Sequence, residues 1–290
     1  MILTLLIHCP DAPGIISAVT GFFHSQGGNI VYLDQHVDKQ AGVFFMRLQA
    51  EFARDQYGDD TEGSFLKSLE EDFTSTCARQ FGMDWTIHRE ASKTRMAIFV
   101  SKYNHCLYDL LGRYETGELH TEIPFILSNH DDCRPIAEQF GIPYYHIPVN
   151  KENKAEAEAR QLSLLKEHDI DLVVLARYMQ IIGPGLIGEF TNKIINIHHS
   201  FLPAFAGAKP YHAAFRRGVK IIGATSHYVT EDLDEGPIIA QDVSPVSHSH
   251  SIPDFIAKGR DLEKIVLARA VLLHLQHKTL VYDNRTVVFA

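Results

Sequence analysis

The chain reads as an α/β protein in two parts. A ferredoxin-like βαββαβ unit is expected over residues 1–88, a linker over 89–94, and a Rossmann-like domain with a mostly parallel sheet over 95–290. Three observations predict this. Strand and helix patterns follow one another as βαββαβ in the first ninety residues. The stretch REASKT at 89–94 is polar and has no periodicity. Beyond it, short apolar runs alternate with helical patterns, the order of a parallel sheet covered by helices.

In the first part, residues 2–8 form a buried-strand pattern and DAPG marks a turn. Residues 14–26 place Ile15, Ile16, Val19, Phe22 and Phe23 on one helical face, and Gly27-Gly28 ends that helix. Residues 29–37 and 42–52 predict a hairpin. In its second strand Phe44, Met46, Leu48, Ala50 and Phe52 share a face, while Arg47, Gln49 and Glu51 point away. A helix follows over 64–81 and a short strand over 84–88. In the second part, strands are expected at 96–101, 123–128, 144–147, 172–175 and 194–197, with helices between them. The helix at 151–168 is rich in Glu, Lys and Ala, so its outer face is solvated. Strands at 221–229 and 238–246, a helix at 252–276 and a strand pair around Asp283-Asn284 complete the chain.

Composition narrows the function classes. A net charge of −9 argues against a strong grip on nucleic acid, which depends on Lys and Arg neutralising phosphates. No apolar run is long enough to span a membrane, and the apolar start lacks a basic n-region, so no membrane partner is expected and the cytoplasm is the expected location. Cys9, Cys77, Cys106 and Cys133 are scattered without zinc spacing, which fits reduced thiols. Gly183-Pro184-Gly185-Leu186-Ile187-Gly188 matches GxGxxG literally. Its late position, its proline and the lack of a following acidic residue make it a turn before a helix instead. His198, His199, His248 and His250 lack the spacing of a metal centre, so no metal is expected.

Residues 195–237 hold the chemistry. Asn196, His198 and Asp234 bring together an amide, an imidazole and a carboxylate, the groups needed to polarise a carbonyl, move a proton and activate water. Each alone has a structural reading: a turn former, a buried hydrogen-bonded histidine, a turn carboxylate. Together with SFLPAF and Gly207, then GATSHYVT at 223–230 and LDEGPII at 233–239, they resemble in order and spacing the catalytic core of the formyltetrahydrofolate-using transferases and hydrolases.

That resemblance implies catalytic roles for Asn196, His198 and Asp234, with Thr225 and His227 in support, setting a water or the geometry of the aspartate. It also implies a folate segment in LARYMQII at 175–182 and in the loop at 229–234. The expected folate contacts are Leu175, Tyr178, Gln180, Ile181, Ile182, Val229 and Glu231. The first part, with DAPGII and GGNI, resembles an ACT domain. This implies a homo-oligomer and an amino-acid effector, methionine or glycine, with a purely structural dimerisation module as the alternative.

Which acceptor takes the formyl group is read from residues 100–107. Relatives that formylate a ribonucleotide carry a glycine-rich phosphate loop there, whereas bulky Tyr103 and His105 crowd a backbone approach, although Lys102 could still meet an anion. The relatives that formylate tRNA carry a basic C-terminal domain, and this chain ends soon after Phe289. The resemblance therefore implies hydrolysis of 10-formyltetrahydrofolate to formate and tetrahydrofolate, with no cofactor beyond the substrate. In the family this formate supplies purine synthesis and balances the one-carbon pool. A formyltransferase using an amine and a non-catalytic folate sensor are the alternatives.

Overall fold

The computed structural model describes residues 1–53, 62–204 and 210–289. Gly207, part of the expected motif, lies outside the described residues. The chain divides into two units, 1–93 with 287–290, and 94–286.

The first unit runs β1 (Ile2–Pro10), α1 (Ile15–Ser25), β2 (Asn29–Asp38), β3 (Val43–Glu51), α2 (Glu62–Phe73), a π-helical turn at Thr74–Ala78, α3 (Arg79–Phe81) and β4 (Asp84–Arg89). Its sheet has the order β2-β3-β1-β4 and is antiparallel throughout, as βαββαβ requires. Leu5 pairs with Leu48 on one side and Ile87 on the other. Alternation sends Leu3, Leu5, Ile7, Met46, Leu48 and Ala50 into one core with Val19, Phe23 and Phe73. Arg47, expected to point away from that face, does so but is 3% exposed, with its guanidinium 5.0 Å from the Tyr32 ring centre. The strand period gave its face correctly; the ring against its guanidinium is on another strand.

The second unit continues with β5 (Thr94–Val100), α4 (His105–Glu115), β6 (Thr121–Glu122), β7 (Ile126–Ser128), α5 (Arg134–Gln139), β8 (Tyr144–His146), α6 (Lys154–Glu167) and β9 (Leu172–Ala176). It goes on through α7 (Pro184–Glu189), β10 (Ile194–His198), α8 (Pro210–Arg217), β11 (Ile221–Tyr228), β12 (Ile238–Pro245) and α9 (Ile252–Leu275). A terminal pair, β13 (Thr279–Tyr282) and β14 (Arg285–Val288), ends the chain. Pro184 is the first residue of α7, so the GxGxxG match is a helix start. Of the strand expected at 123–128 only β7 at 126–128 forms, with β6 ahead of it, and Pro124 between them offers no N–H to a ladder. The helix expected from 151 begins three residues later. There the Asn150 side chain accepts the N–H groups of Glu152 and Asn153 at 2.8 and 3.0 Å, holding a turn in competition with helix.

The large sheet has the order β12-β11-β10-β9-β5-β7-β8, with β6 beside β5. Strands β8 to β10 on this path run parallel, and β11 and β12 are antiparallel additions. Apolar cores fill both faces, so every residue of β9 is buried, as its unbroken LVVLA predicts. From β5 the chain builds outward to β8, then returns to place β9 and β10 on the other side of β5. This reversal leaves a crevice beyond the carboxyl ends of β5, β9 and β10, the position where such sheets bind ligands.

Candidate active site

Strand β10 delivers two of the reactive groups. Asn196 and His198 are two residues apart and therefore project to the same face. Pairing with β11 sets Asn196 opposite His227 and His198 opposite Thr225. The third group returns on the loop between β11 and β12. That loop is closed at its neck by the Tyr228 N–H donating to Pro237 O, and tied to β10 by the Val229 N–H donating to Ile194 O, both at 2.9 Å. Asp234 takes the left-handed conformation at φ 59°, which a short polar residue tolerates better than most. Gly236 makes the closure possible, since a Cβ there would lie 1.8 Å from Tyr228 O.

The result is a connected set of four side chains. His198 Nδ1 lies 3.1 Å from Asp234 Oδ2, and His227 Nε2 lies 3.7 Å from Asp234 Oδ1. Asn196 Nδ2 is 3.3 Å from His227 Nε2, and His227 Nδ1 is 2.9 Å from Tyr228 O. A carbonyl oxygen only accepts, so His227 carries a proton on Nδ1. The hydrogen bond from His198, then the nearby His227 ring, outweigh burial and hold the Asp234 carboxyl far below the usual carboxylate range. Asp234 is thus an anion at neutral pH. Its bond to Nδ1 leaves Nε2 of His198 as the open ring nitrogen, buried and without a partner among the described residues.

These groups line a cavity of about 460 Å³. All seven residues expected to hold the folate line it, as do Asn196, His198, His227 and Asp234. Tyr178 does so with its ring edge-on to Phe99 and its hydroxyl accepting from Gln161 Nε2 at 3.0 Å. Burial pushes that hydroxyl up to about 12. Met179, Ile181 and Leu233 are exposed at the lining, an apolar set suited to a flat aromatic ligand.

Thr225 is the exception. Its hydroxyl accepts from Leu202 N at 3.0 Å and Gln241 Nε2 at 2.9 Å, and donates to Ser200 O at 2.9 Å. It therefore holds the turn after His198 rather than a water or Asp234. Strand β10 ends at His198, so the alternation that would send His199 to the opposite face is already broken there. The two imidazoles lie 5.2 Å apart, and His199 also lines the cavity. Burial, reinforced by the Arg177 charge, lowers His199 to about 4 and keeps it neutral.

Comparison with known proteins narrows the identity of this arrangement. Residues 94–271 match the formyl transferase family, and residues 3–54 match the ACT domain. The chain is 53% identical to a formyltetrahydrofolate deformylase of Synechocystis sp., over 99% of this chain and 98% of that protein. It is 47% identical to one of Bacillus subtilis, over 98% of this chain and 93% of that protein. The chain belongs to the formyltetrahydrofolate deformylase family.

The crystal structure of a family member from Pseudomonas syringae pv. tomato superposes with a TM-score of 0.94 at 48% identity, covering all of this chain and 94% of that one. A phosphoribosylglycinamide formyltransferase from Anaplasma phagocytophilum matches at TM-score 0.63 and 30% identity, over 69% of this chain and 96% of that one. The formyltetrahydrofolate deformylase family is an enzyme family, so a purely sensory role is not favoured for this chain. Among the described residues no helix is long and apolar enough to cross a membrane. Sequence reasoning assigns no role to Arg177, which lines the cavity with its backbone at φ 63°. Its only sequence signal is a charge inside an otherwise apolar strand end.

Proposed function

We propose that this chain hydrolyses 10-formyltetrahydrofolate to formate and tetrahydrofolate. The observation that supports it most is the His198–Asp234 pair, whose open Nε2 borders a cavity flanked by the Asn196 amide. The folate lies against residues 175–182 and 229–234, with Leu175, Tyr178, Gln180, Ile181, Ile182, Val229 and Glu231 around it. His198 Nε2 takes a proton from water as its oxygen bonds to the formyl carbon. Ionised Asp234 stabilises the imidazolium that forms, and an Asn196 N–H meets the oxyanion. When the tetrahedral intermediate collapses, the C–N bond breaks and His198 returns the proton to the folate nitrogen. His227 orients Asn196 and Asp234. No cofactor enters, because every group in the scheme belongs to the chain, the substrate or water.

The amine-acceptor reading is weaker on the same geometry. His105 is turned against Glu263 at 2.8 Å and Tyr103 lies beside the Arg177 guanidinium, so the start of α4 carries side chains where a phosphate approach needs bare backbone. We further propose that the unit over 1–88 is a regulatory and dimerising ACT domain joined through 89–94 to a catalytic domain over 95–290. Its implied effectors are methionine and glycine, and the enzyme works as a homo-oligomer in the cytoplasm. The test is formate release from 10-formyltetrahydrofolate with and without added amines. Turnover without an amine, lost in Asp234→Ala while the folate still binds, is the expected result. Turnover only with an amine would replace hydrolysis by transfer.

A further inference from the structure

Beside the His198 cavity, several donors converge on a carboxylate that the hydrolytic scheme does not use. Glu263 sits on the inner face of α9 and is 1% exposed. The Tyr211 hydroxyl donates to Oε1 at 2.6 Å, and His105 Nε2 lies 2.8 Å from Oε2. Arg177 Nε stands 3.3 Å from Oε2 as a charge contact rather than a well-angled hydrogen bond. The Arg177 guanidinium in turn lies 5.2 Å from the Tyr103 ring centre. His105 opens α4, an eleven-residue helix whose N-cap Asn104 makes no side-chain cap, so the positive end of a helix faces the same region. Gly259 leaves room for Tyr211, since a Cβ there would lie 2.1 Å from its ring.

Burial alone would push a carboxyl up, yet His105, Arg177 and Tyr211 outweigh it and Glu263 is held below its usual range. The donor set is that of an oxyanion site: a guanidinium, an imidazole, a hydroxyl and a helix start. Its occupant is part of the chain. A buried ion pair of this kind gains little stability over apolar packing, so stability is a poor reason for its presence. The cluster also adjoins the reaction. Arg177 and His199 line the cavity, and the His199 ring lies 5.2 Å from His198 and 5.9 Å from Tyr211.

We infer that Glu263 is an internal anion filling an oxyanion subsite beside His198, which shuts out phosphorylated amines and leaves water as the acceptor. The inference rests on the hydrolytic reading for its consequence, but the filled subsite is testable by itself. Glu263→Ala empties the subsite and Glu263→Gln removes the charge while keeping the shape. Melting temperature is followed against inorganic phosphate, with sodium chloride matched for ionic strength, in wild type and both variants. At ten times the dissociation constant, phosphate raises the melting temperature of the alanine variant by about 3–6 °C. The glutamine variant, which keeps the subsite filled, does not move, and Glu263→Ser, which also empties it, carries the test if the alanine variant does not fold. Wild type does not move. A response in wild type or the glutamine variant equal to that of the emptied variant, or no response in an emptied variant that folds, overturns the inference. Formate release by wild type, measured alongside without an amine, tests the hydrolytic reading separately, because neither measurement depends on the other.

Discussion

Gly236→Ala probes the geometry on which the account depends without touching a reactive group. A Cβ at this position would lie 1.8 Å from Tyr228 O and 2.9 Å from Tyr228 C, and the obstacle is backbone held in a strand. Relief to 3.0 Å, the closest that real Cβ atoms come, requires the loop to move by about 1.2 Å. Asp234, two residues earlier, sits 3.1 Å from His198 Nδ1, so a shift of that size takes the pair out of hydrogen-bond range. Misplacement by about 1 Å costs on the order of 100-fold in rate. The expected result is kcat for formate release lower by about 100-fold, with a smaller rise in KM and a loss of about 1–3 kcal/mol in stability from overpacking. Gly185→Ala, where an added Cβ meets nothing within 4 Å, is the control and leaves kcat unchanged. A folded Gly236→Ala enzyme with wild-type kcat would refute the claim that this loop fixes the Asp234–His198 pair.

Two further outcomes follow from buried groups near the site. His199 is lowered to about 4 by burial, against an unfolded value near 6.5, so the folded state binds fewer protons between those limits. Its contribution is fully present above pH 6.5 and is lost as pH falls towards 4, by roughly 3 kcal/mol in total. Urea denaturation should show His199→Gln with a flatter pH dependence across that window, and an unchanged slope would reject the assignment. Thr225→Val removes a hydroxyl that serves Leu202, Ser200 and Gln241 and should cost about 2–3 kcal/mol by the same assay. A near-neutral result would return Thr225 to a role closer to the chemistry.

Much of the fold was legible because alternation and helical spacing are local properties. LVVLA reads as a strand covered on both faces, and it is one. Asn196 and His198 were legible as a same-face pair, and the resemblance added Asp234. What the sequence hides is proximity created by the sheet order. Glu263 lies in the run Arg260-Asp261-Leu262-Glu263-Lys264, which looks like a solvated helix face. It becomes a buried anion because α9 packs on α4 and presents it to His105, Tyr211 and Arg177. Gly236 reads as a turn glycine before proline, and only the folded loop reveals that Tyr228 leaves no room for a side chain. Thr225 is hidden in the opposite way, a polar residue on the right strand whose hydroxyl turns to the backbone of 200–202.

Water accepts the formyl group at His198 in the proposed reaction, and oxygen-18-labelled water reports that transfer. With 10-formyltetrahydrofolate as sole substrate, each turnover is predicted to yield tetrahydrofolate and formate carrying a single labelled oxygen. Unlabelled formate, or tetrahydrofolate that forms only when an amine is supplied and without formate, would contradict it.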